Sequence, residues 1–241
     1  MIDQIKLRHQ KVHRNHSPEA GCPPHQIKFC VNAFHFALFL VSKGPLERAR
    51  IHIASYGLEG KIETRLSDGL ACVEPGEVDT MIAAGMGGGL VIHILEEGKA
   101  VTDKMTHCIL QPQSEIDKVR RYVINHGFRI DEEDMVKEDG KYYPMMRLVH
   151  ADDKEQESGD GRTDQGNIAP YDACEYLYGR RLLEKRHPVL KEYLERELSI
   201  RENILAGLRK EDGERVRVRI LEIEEEMRLT CQALQYYQDS K

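Results

Sequence analysis

From residue 45 onward the chain changes its hydrophobic period again and again. The segment PLERARIHIASYGL spaces its apolar positions as an amphipathic helix ending at Gly57, KIETRLSDG reads as a short strand, and EVDTMIAAG reads as a buried strand. GGLVIHILEEGKAVT predicts a helix, HCILQP another buried strand, and SEIDKVRRYVINHG a helix with Ser114 as its cap. FRIDEEDMVKEDGKYYPMMRLVH then predicts two strands joined at Asp139-Gly140, the kind of dipeptide that tight hairpins favour. Repeated strand-helix units predict an α/β fold: a mostly parallel sheet with helices on both faces and an antiparallel edge strand from the last hairpin.

The pattern stops at residues 151–167, where ADDKEQESGDGRTDQGN carries six acids, two bases and almost nothing to bury. Such a stretch predicts a linker or loop. Beyond it a helical period takes over. Val216, Ile220, Ile223, Met227, Thr230, Leu234 and Tyr237 step alternately by four and three, a heptad seam of the coiled-coil kind. Residues 187–208 place Leu190, Leu194, Leu198, Leu205 and Leu208 on one face, and RKEDGE between the two segments predicts a reversal into an antiparallel helical hairpin. The chain therefore divides into an anomalous N-terminal segment (1–41), an α/β unit (42–150), an acidic linker (151–170) and a helical unit (171–241).

Composition narrows the classes of function. With 35 Lys and Arg against 41 Asp and Glu, the net charge of −6 excludes a chain that grips nucleic acid by bulk charge, although a local basic face is compatible with it. Arg180, Arg181, Lys185, Arg186 and His187 form the densest positive cluster, and both a phosphate-binding face and ordinary solvated helix surface fit it. Six scattered cysteines, four of them in apolar or helical runs, point to a reducing compartment. The longest apolar run, FCVNAFHFALFLV, is too short to span a bilayer and lacks the features of a signal peptide, so a cytoplasmic protein without a membrane partner is expected. His9, His13, His16, Cys22, His25 and Cys30 show no paired zinc-ligand spacing, and no metal is expected.

The stretch TMIAAGMGGGLVIHIL carries the clearest chemistry. No lysine follows its glycines as a Walker loop requires, and it follows a late strand where a dinucleotide fingerprint would follow the first. Two readings remain: a tight strand-to-helix turn that needs positive φ, or bare peptide at the carboxyl edge of a parallel sheet on which a flat ring can lie. Asp68 in SDG, at the end of the preceding strand, would project into the same crevice and favours the second.

Five segments, KGPLERARIHIASYGLEGKIETRLSDGL, MIAAGMGGGLVIHILEEG, LQPQSEIDKVR, EDGKYYPMM and YLYGRRLLEKRHPVLKEYL, occur in the order that resembles the bacterial tRNA (adenine-22 N1)-methyltransferase family, TrmK. The resemblance covers residues 42–237 apart from the acidic stretch. It implies a Rossmann-like class I methyltransferase fold, S-adenosylmethionine as cofactor, tRNA as substrate and a C-terminal helical domain that meets the tRNA; a monomer is favoured. It further implies that Asp68 and Gly69 lie beside the cofactor's adenine, that Gly85, Met86, Gly87 and Gly88 form the floor between cofactor and target base, and that Gln111 and Pro112 line the target pocket. Glu138 and Asp139 are candidates to stabilise the methylated base and Tyr142 or Tyr143 to stack on it; an ordinary hairpin with one buried tyrosine is the competing reading. The family's use of its helical domain turns Arg180, Arg181, Lys185 and Arg186 into candidate tRNA contacts. No catalytic base is assigned.

Two family features are missing. No Asp-x-Gly-Ser/Thr-Asp-His segment occurs before Val41, and Leu40 stands where relatives end a strand with the acid that binds the ribose hydroxyls. The favoured expectation is that roughly the first 40 residues are read from a shifted frame or a wrong start, so that a neighbouring frame upstream of the Lys43 codon encodes the segment. A homologue that binds RNA and has lost methyl transfer is the alternative function, and an oligomerising helical hairpin a third.

Overall fold

The structure, a computed structural model, describes residues 36–40, 42–151 and 170–238. The histidines and cysteines of the first 35 residues and most of the acidic stretch lie outside them. Strand β1 (Phe36–Leu40), helix α1 (Lys43–Ser55) and strand β2 (Ile62–Leu66) form one unit, with the strands parallel and Phe36 opposite Ile62. The second sheet is built from β3 (Thr80–Gly87), β4 (His107–Ser114), β5 (Phe128–Glu138) and β6 (Lys141–His150), in the order β3-β4-β6-β5.

β3 and β4 are parallel, and the β5–β6 hairpin joins them antiparallel through β6. The expected antiparallel edge strand is therefore inside the sheet, and β5 takes the edge. Asp139 and Gly140 both have positive φ, 49° and 74°, as the hairpin turn requires. Among the described residues no strand joins the two sheets, β3 pairs only with β4, and Ile82 in the middle of β3 is 47% exposed. That large apolar side chain departs from the both-faces-covered rule for parallel sheets.

Helix α2 (Gly88–Glu97) buries Val91, Ile94 and Leu95 against β3 and β4. The predicted long helix is broken at Gly98, and α3 (Lys99–Thr102) follows. A Cβ at Gly98 would stand 2.5 Å from Leu70 Cδ1 and 2.7 Å from the Ile94 carbonyl oxygen, so close approach explains the glycine. Helix α4 (Ile116–Asn125) starts one residue later than the sequence suggests. Ser114 is not its cap, because it pairs opposite Gly87 as the last residue of β4, and Glu115, at φ 51°, takes the cap position.

A second core begins at Met135 on β5 and continues into α5 (Ala173–Tyr178), α6 (Arg180–Glu184), α7 (Pro188–Leu208) and α8 (Glu214–Gln235). Asp172 caps α5 with a reciprocal capping box to Glu175, and Pro188 opens α7 at the one place where a helix needs no N–H. Helices α7 and α8 pack as the expected hairpin, closed by Arg201 on Glu226 at 2.9 Å and Arg209 on Glu224 at 2.9 Å. Ile223, Thr230 and Ala233 are buried on the α8 seam, and Thr230 meets the Tyr178 hydroxyl at 2.8 Å.

Candidate functional site

The glycine run forms a kinked strand end. Ala84 lies opposite Gln111 and Met86 opposite Pro112, so Gly85 is an extra residue in β3, a β-bulge, with φ 76°. Its N–H leaves the ladder and donates to Gln111 Oε1 at 2.9 Å. Bulges re-aim the residues that follow them. Here β3 continues past the bulge to Gly87, opposite Ser114, before α2 starts at Gly88, and Gly87 stays exposed while Gly88 is buried.

Gly88 is small for a reason other than a ligand. A Cβ there would lie 2.5 Å from the Ser114 carbonyl oxygen and 3.0 Å from Glu115 Cβ. At Gly87 the nearest atom would be the Ser114 hydroxyl at 3.3 Å, and Gly87 has an ordinary extended backbone, so nothing internal demands glycine. The two readings of the run therefore divide between neighbouring residues: Gly85 and Gly88 are needed by the fold, whereas Gly87 offers bare peptide to solvent.

Glu115 is a site residue that sequence reasoning missed. Its carboxylate lies beside Gly89 in the uncapped first turn of α2 and pairs with Lys118 at 2.5 Å. The Lys118 ammonium holds the carboxyl below the usual glutamate range, with the Gly89 N–H adding to the effect. An anion is thus fixed at the start of α2, where the helix dipole welcomes it. Only its left-handed backbone, which sequence does not announce, puts it there.

Asp68 and Gly69 lie in the turn after β2. Gly69, at φ 54°, packs on Ile94 with a would-be Cβ 3.1 Å from Ile94 Cγ1. Ile94 is six residues past Gly88, or about 9 Å along the helix at 1.5 Å per residue. The turn is organised by Ser67, buried, whose hydroxyl donates to the Gly69 carbonyl at 3.1 Å and accepts the Cys72 N–H at 3.2 Å.

The hairpin tip lies at the same carboxyl edge, since β6 runs antiparallel to β4 with Leu110 opposite Met146. Tyr142 is committed there to the helical unit: its hydroxyl donates to Glu192 Oε1 at 3.1 Å and its ring meets Tyr193 edge-on at 5.1 Å. Lys137 pairs with the same Glu192. Tyr142 is therefore a docking residue, and Tyr143, half-buried, alternates to the other face of β6.

The basic cluster divides: Arg180 is buried, Arg181 and His187 are half-buried, and Lys185 and Arg186 are exposed. Arg180, whose side chain is 9% exposed, forms two bonds to the Glu175 carboxylate and stacks 3.9 Å over the Tyr171 ring, so the expected phosphate contact fails at this residue. Arg181 pairs with Glu184 at 2.9 Å and Lys185 with Glu132 at 3.2 Å. Arg186, at φ 50°, closes the turn before α7.

Bare peptide beside a glutamine whose oxygen is already occupied offers shape and hydrogen bonds, with no nucleophile. That arrangement suits a reaction in which positioning does most of the work. The family model described as tRNA (adenine(22)-N(1))-methyltransferase, TrmK, matches residues 24–231. The chain belongs to the TrmK family. The match begins well ahead of Lys43, where the sequence reading starts the resemblance.

A curated TrmK relative, the tRNA (adenine(22)-N(1))-methyltransferase of Bacillus subtilis, is 35% identical over 118 residues, and the alignment spans 48% of each chain, about half the length of that relative. Among solved structures, an uncharacterised protein from Listeria monocytogenes superposes with a TM-score of 0.73 at 27% identity, covering 84% of this chain and 83% of that one. The B. subtilis tRNA methyltransferase TrmK superposes at 0.65 and 26% identity over 83% and 82% of the two chains. A Streptococcus pneumoniae protein in complex with S-adenosyl-L-methionine superposes at 0.67 and 25% identity over 83% and 81%. The TrmK fold is thus Rossmann-like with a helical C-terminal part.

Proposed function

We propose that this chain methylates N1 of the adenine at position 22 of tRNA, with S-adenosyl-L-methionine as donor. The observation that carries the reading is the Gly85 bulge locked by Gln111, which leaves exposed peptide at Gly87 on the carboxyl edge of the sheet, the edge at which open α/β folds hold ligands. S-adenosyl-L-methionine, when bound, supplies an activated methyl group on a sulfonium. The floor fits such a ligand, and the ribose end is weaker, because β1 ends at Leu40.

The residues themselves align and hold. Gln111 accepts the Gly85 N–H on its oxygen and donates from its amide nitrogen to the Pro112 carbonyl at 3.4 Å, so it holds the two strand ends in place under the base. The N1 lone pair takes the methyl carbon while the carbon–sulfur bond breaks, leaving a neutral thioether and a cationic base. Glu115, kept ionised beside Gly89, places negative charge on the same edge. A flipped or unpaired adenine enters between this floor and Tyr143. The helical unit serves as the RNA-binding element, acting as a monomer in the cytoplasm.

The test is calorimetric titration of the full chain with S-adenosyl-L-methionine, followed by methyl transfer to a tRNA transcript carrying A22 or G22. Binding, with methylation of the A22 transcript alone, supports the proposal. A tRNA complex with no cofactor heat identifies an RNA-binding homologue instead.

A further inference from the structure

The helical unit is fastened to the sheet by a buried ion pair that the reaction does not use. Arg120 on α4 and Glu133 on β5 meet at 2.8 Å with side chains 1% and 0% exposed. Arg120 Nη1 also donates to the carbonyls of Tyr176 and Leu177, both at 2.9 Å, at the end of α5. Glu133 Oε2 accepts the Arg181 N–H at 3.1 Å, at the start of α6. The cation thus caps the negative end of one short helix and the anion the positive end of the next.

Gly179 threads between them. At φ 93° it has no room for a side chain, since a Cβ would lie 2.5 and 2.6 Å from the Glu133 oxygens and 2.8 Å from Arg120 Nη2. Burying two charges is poor glue, because apolar residues of similar volume commonly hold a fold as well or better. What a guanidinium fork adds is fixed angle and register. Each contact here ties α4 or β5 to the α5–α6 junction.

The same α4 begins at the glycine floor. Glu115 touches Gly88 and Gly89, and Arg120 follows five residues later, about 7.5 Å along the helix. One short rod therefore links the floor to the joint of the helical unit. Outer ties run from β5 and β6 beside it: His187 to Asp134 at 2.8 Å and Lys185 to Glu132 at 3.2 Å from β5, and Tyr142 to Glu192 at 3.1 Å from β6.

We propose that Arg120 and Glu133 are positioning residues for the RNA substrate, fixing the helical unit's orientation relative to the glycine floor so that one tRNA engages both at once. The inference rests on the proposed tRNA reading. Two surfaces held in register bind a shared ligand with an effective concentration that loose surfaces lack. The pair contacts neither cofactor nor base, so its loss acts on tRNA alone.

The experiment compares the full chain with the double variant Arg120→Met/Glu133→Leu and with Arg120→Lys. The double variant removes both charges together, and the lysine variant keeps the charge on Glu133 while losing the fork to Tyr176 and Leu177. Melting temperature, S-adenosyl-L-methionine affinity by calorimetry and affinity for an unmodified tRNA transcript by filter binding are read for each. The expected result, in whichever variant keeps a cooperative melt, is tRNA affinity weaker by about tenfold or more with cofactor titration unchanged. A folded variant of either kind that holds tRNA within twofold of the parent overturns the inference. A parent chain that binds no tRNA overturns the functional reading and the inference with it, so the two failures are distinct.

Discussion

Gly87→Ala and Gly88→Ala separate a glycine kept for a ligand from a glycine kept for the fold. At Gly88 the added methyl meets backbone, 2.5 Å from the Ser114 carbonyl oxygen and 3.0 Å from the Glu115 carbonyl oxygen, and neither can rotate away. Overpacking of this kind costs about 1–3 kcal/mol. Alanine in the first turn of α2 returns up to about 1 kcal/mol of helix propensity. With the middle of that cost set against the full helix-propensity gain, the net loss is about 1 kcal/mol, a melting temperature lower by about 2–4 °C for a chain of this size. At Gly87 the backbone, φ −65° and ψ 148°, suits alanine, and the only close atom is a rotatable hydroxyl. Stability there should hold or rise by about 0.4–1 kcal/mol through the unfolded chain. Its methyl instead stands on the exposed floor, where a steric cost of about 1–3 kcal/mol becomes about 5- to 150-fold weaker ligand binding. Thermal melts and calorimetry with S-adenosyl-L-methionine read both effects. A Gly88→Ala protein that melts with the parent refutes the packing argument, and a stable Gly87→Ala protein with parental cofactor affinity removes the floor from the ligand.

Gln111→Leu leaves the Gly85 N–H without its acceptor, costing about 1–3 kcal/mol of stability and weakening cofactor binding; a denaturant midpoint equal to the parent's counts against the lock. Arg180→Ala loses the Glu175 pair and the Tyr171 stack, so it should lower the melting temperature while leaving the salt dependence of tRNA binding unchanged, and a shallower salt slope would return this residue to the phosphate contacts. Burial pushes the Cys108 and Cys174 thiols up to about 12, whereas Cys72 and Cys231 are exposed. Alkylation at pH 8 followed by peptide mapping should then mark Cys72 and Cys231 and spare the other two. Burial likewise pushes Tyr193 and Tyr237 up to about 12, from about 10 in an unfolded chain. In that window the folded protein binds more protons than the unfolded one, so stability is intact below pH 10 and falls as pH rises toward 12. Phe substitution at either tyrosine should flatten that fall in a pH series of urea melts.

Local pattern carried most of the element list, since period and turn chemistry are properties of neighbouring residues. The Asp139-Gly140 hairpin, the reversal between α7 and α8 and the strand-turn-helix at the glycines all follow from short windows. What the sequence withheld depends on pairing across distance. The Gln111 lock joins residues 26 positions apart, and whether β4 continues through Ser114 depends on Gly87 lying opposite it. Charge is likewise set by distant partners. The run at Arg180 to Arg186 fits both a phosphate-binding face and a solvated surface, and the structure buries Arg180 on Glu175 while Arg181 and Lys185 pair with Glu184 and Glu132 nearer the surface.

The buried joint shows how near a sequence can come to disclosing such a feature. Arg120 sits four residues after Ile116 and four before Ile124, on the apolar stripe of α4, so an arginine there is out of place and calls for a partner. The partner is hidden by a change of phase. Alternation from Phe128 and Ile130 would turn Glu132 inward, but a register shift between Ile130 and Glu132 moves the inward set to Glu133 and Met135. A single inserted residue in β5 therefore selects which of two adjacent glutamates is buried. It simultaneously brings Met135 into the core of the helical unit. Deleting Asp131, the extra residue, leaves Glu133 two places after Ile130 and still inward, so the Arg120 pair should survive while the Asp131–Arg147 pair is lost; a melting temperature collapsed as far as that of a variant lacking Glu133 would refute this account of the phase change.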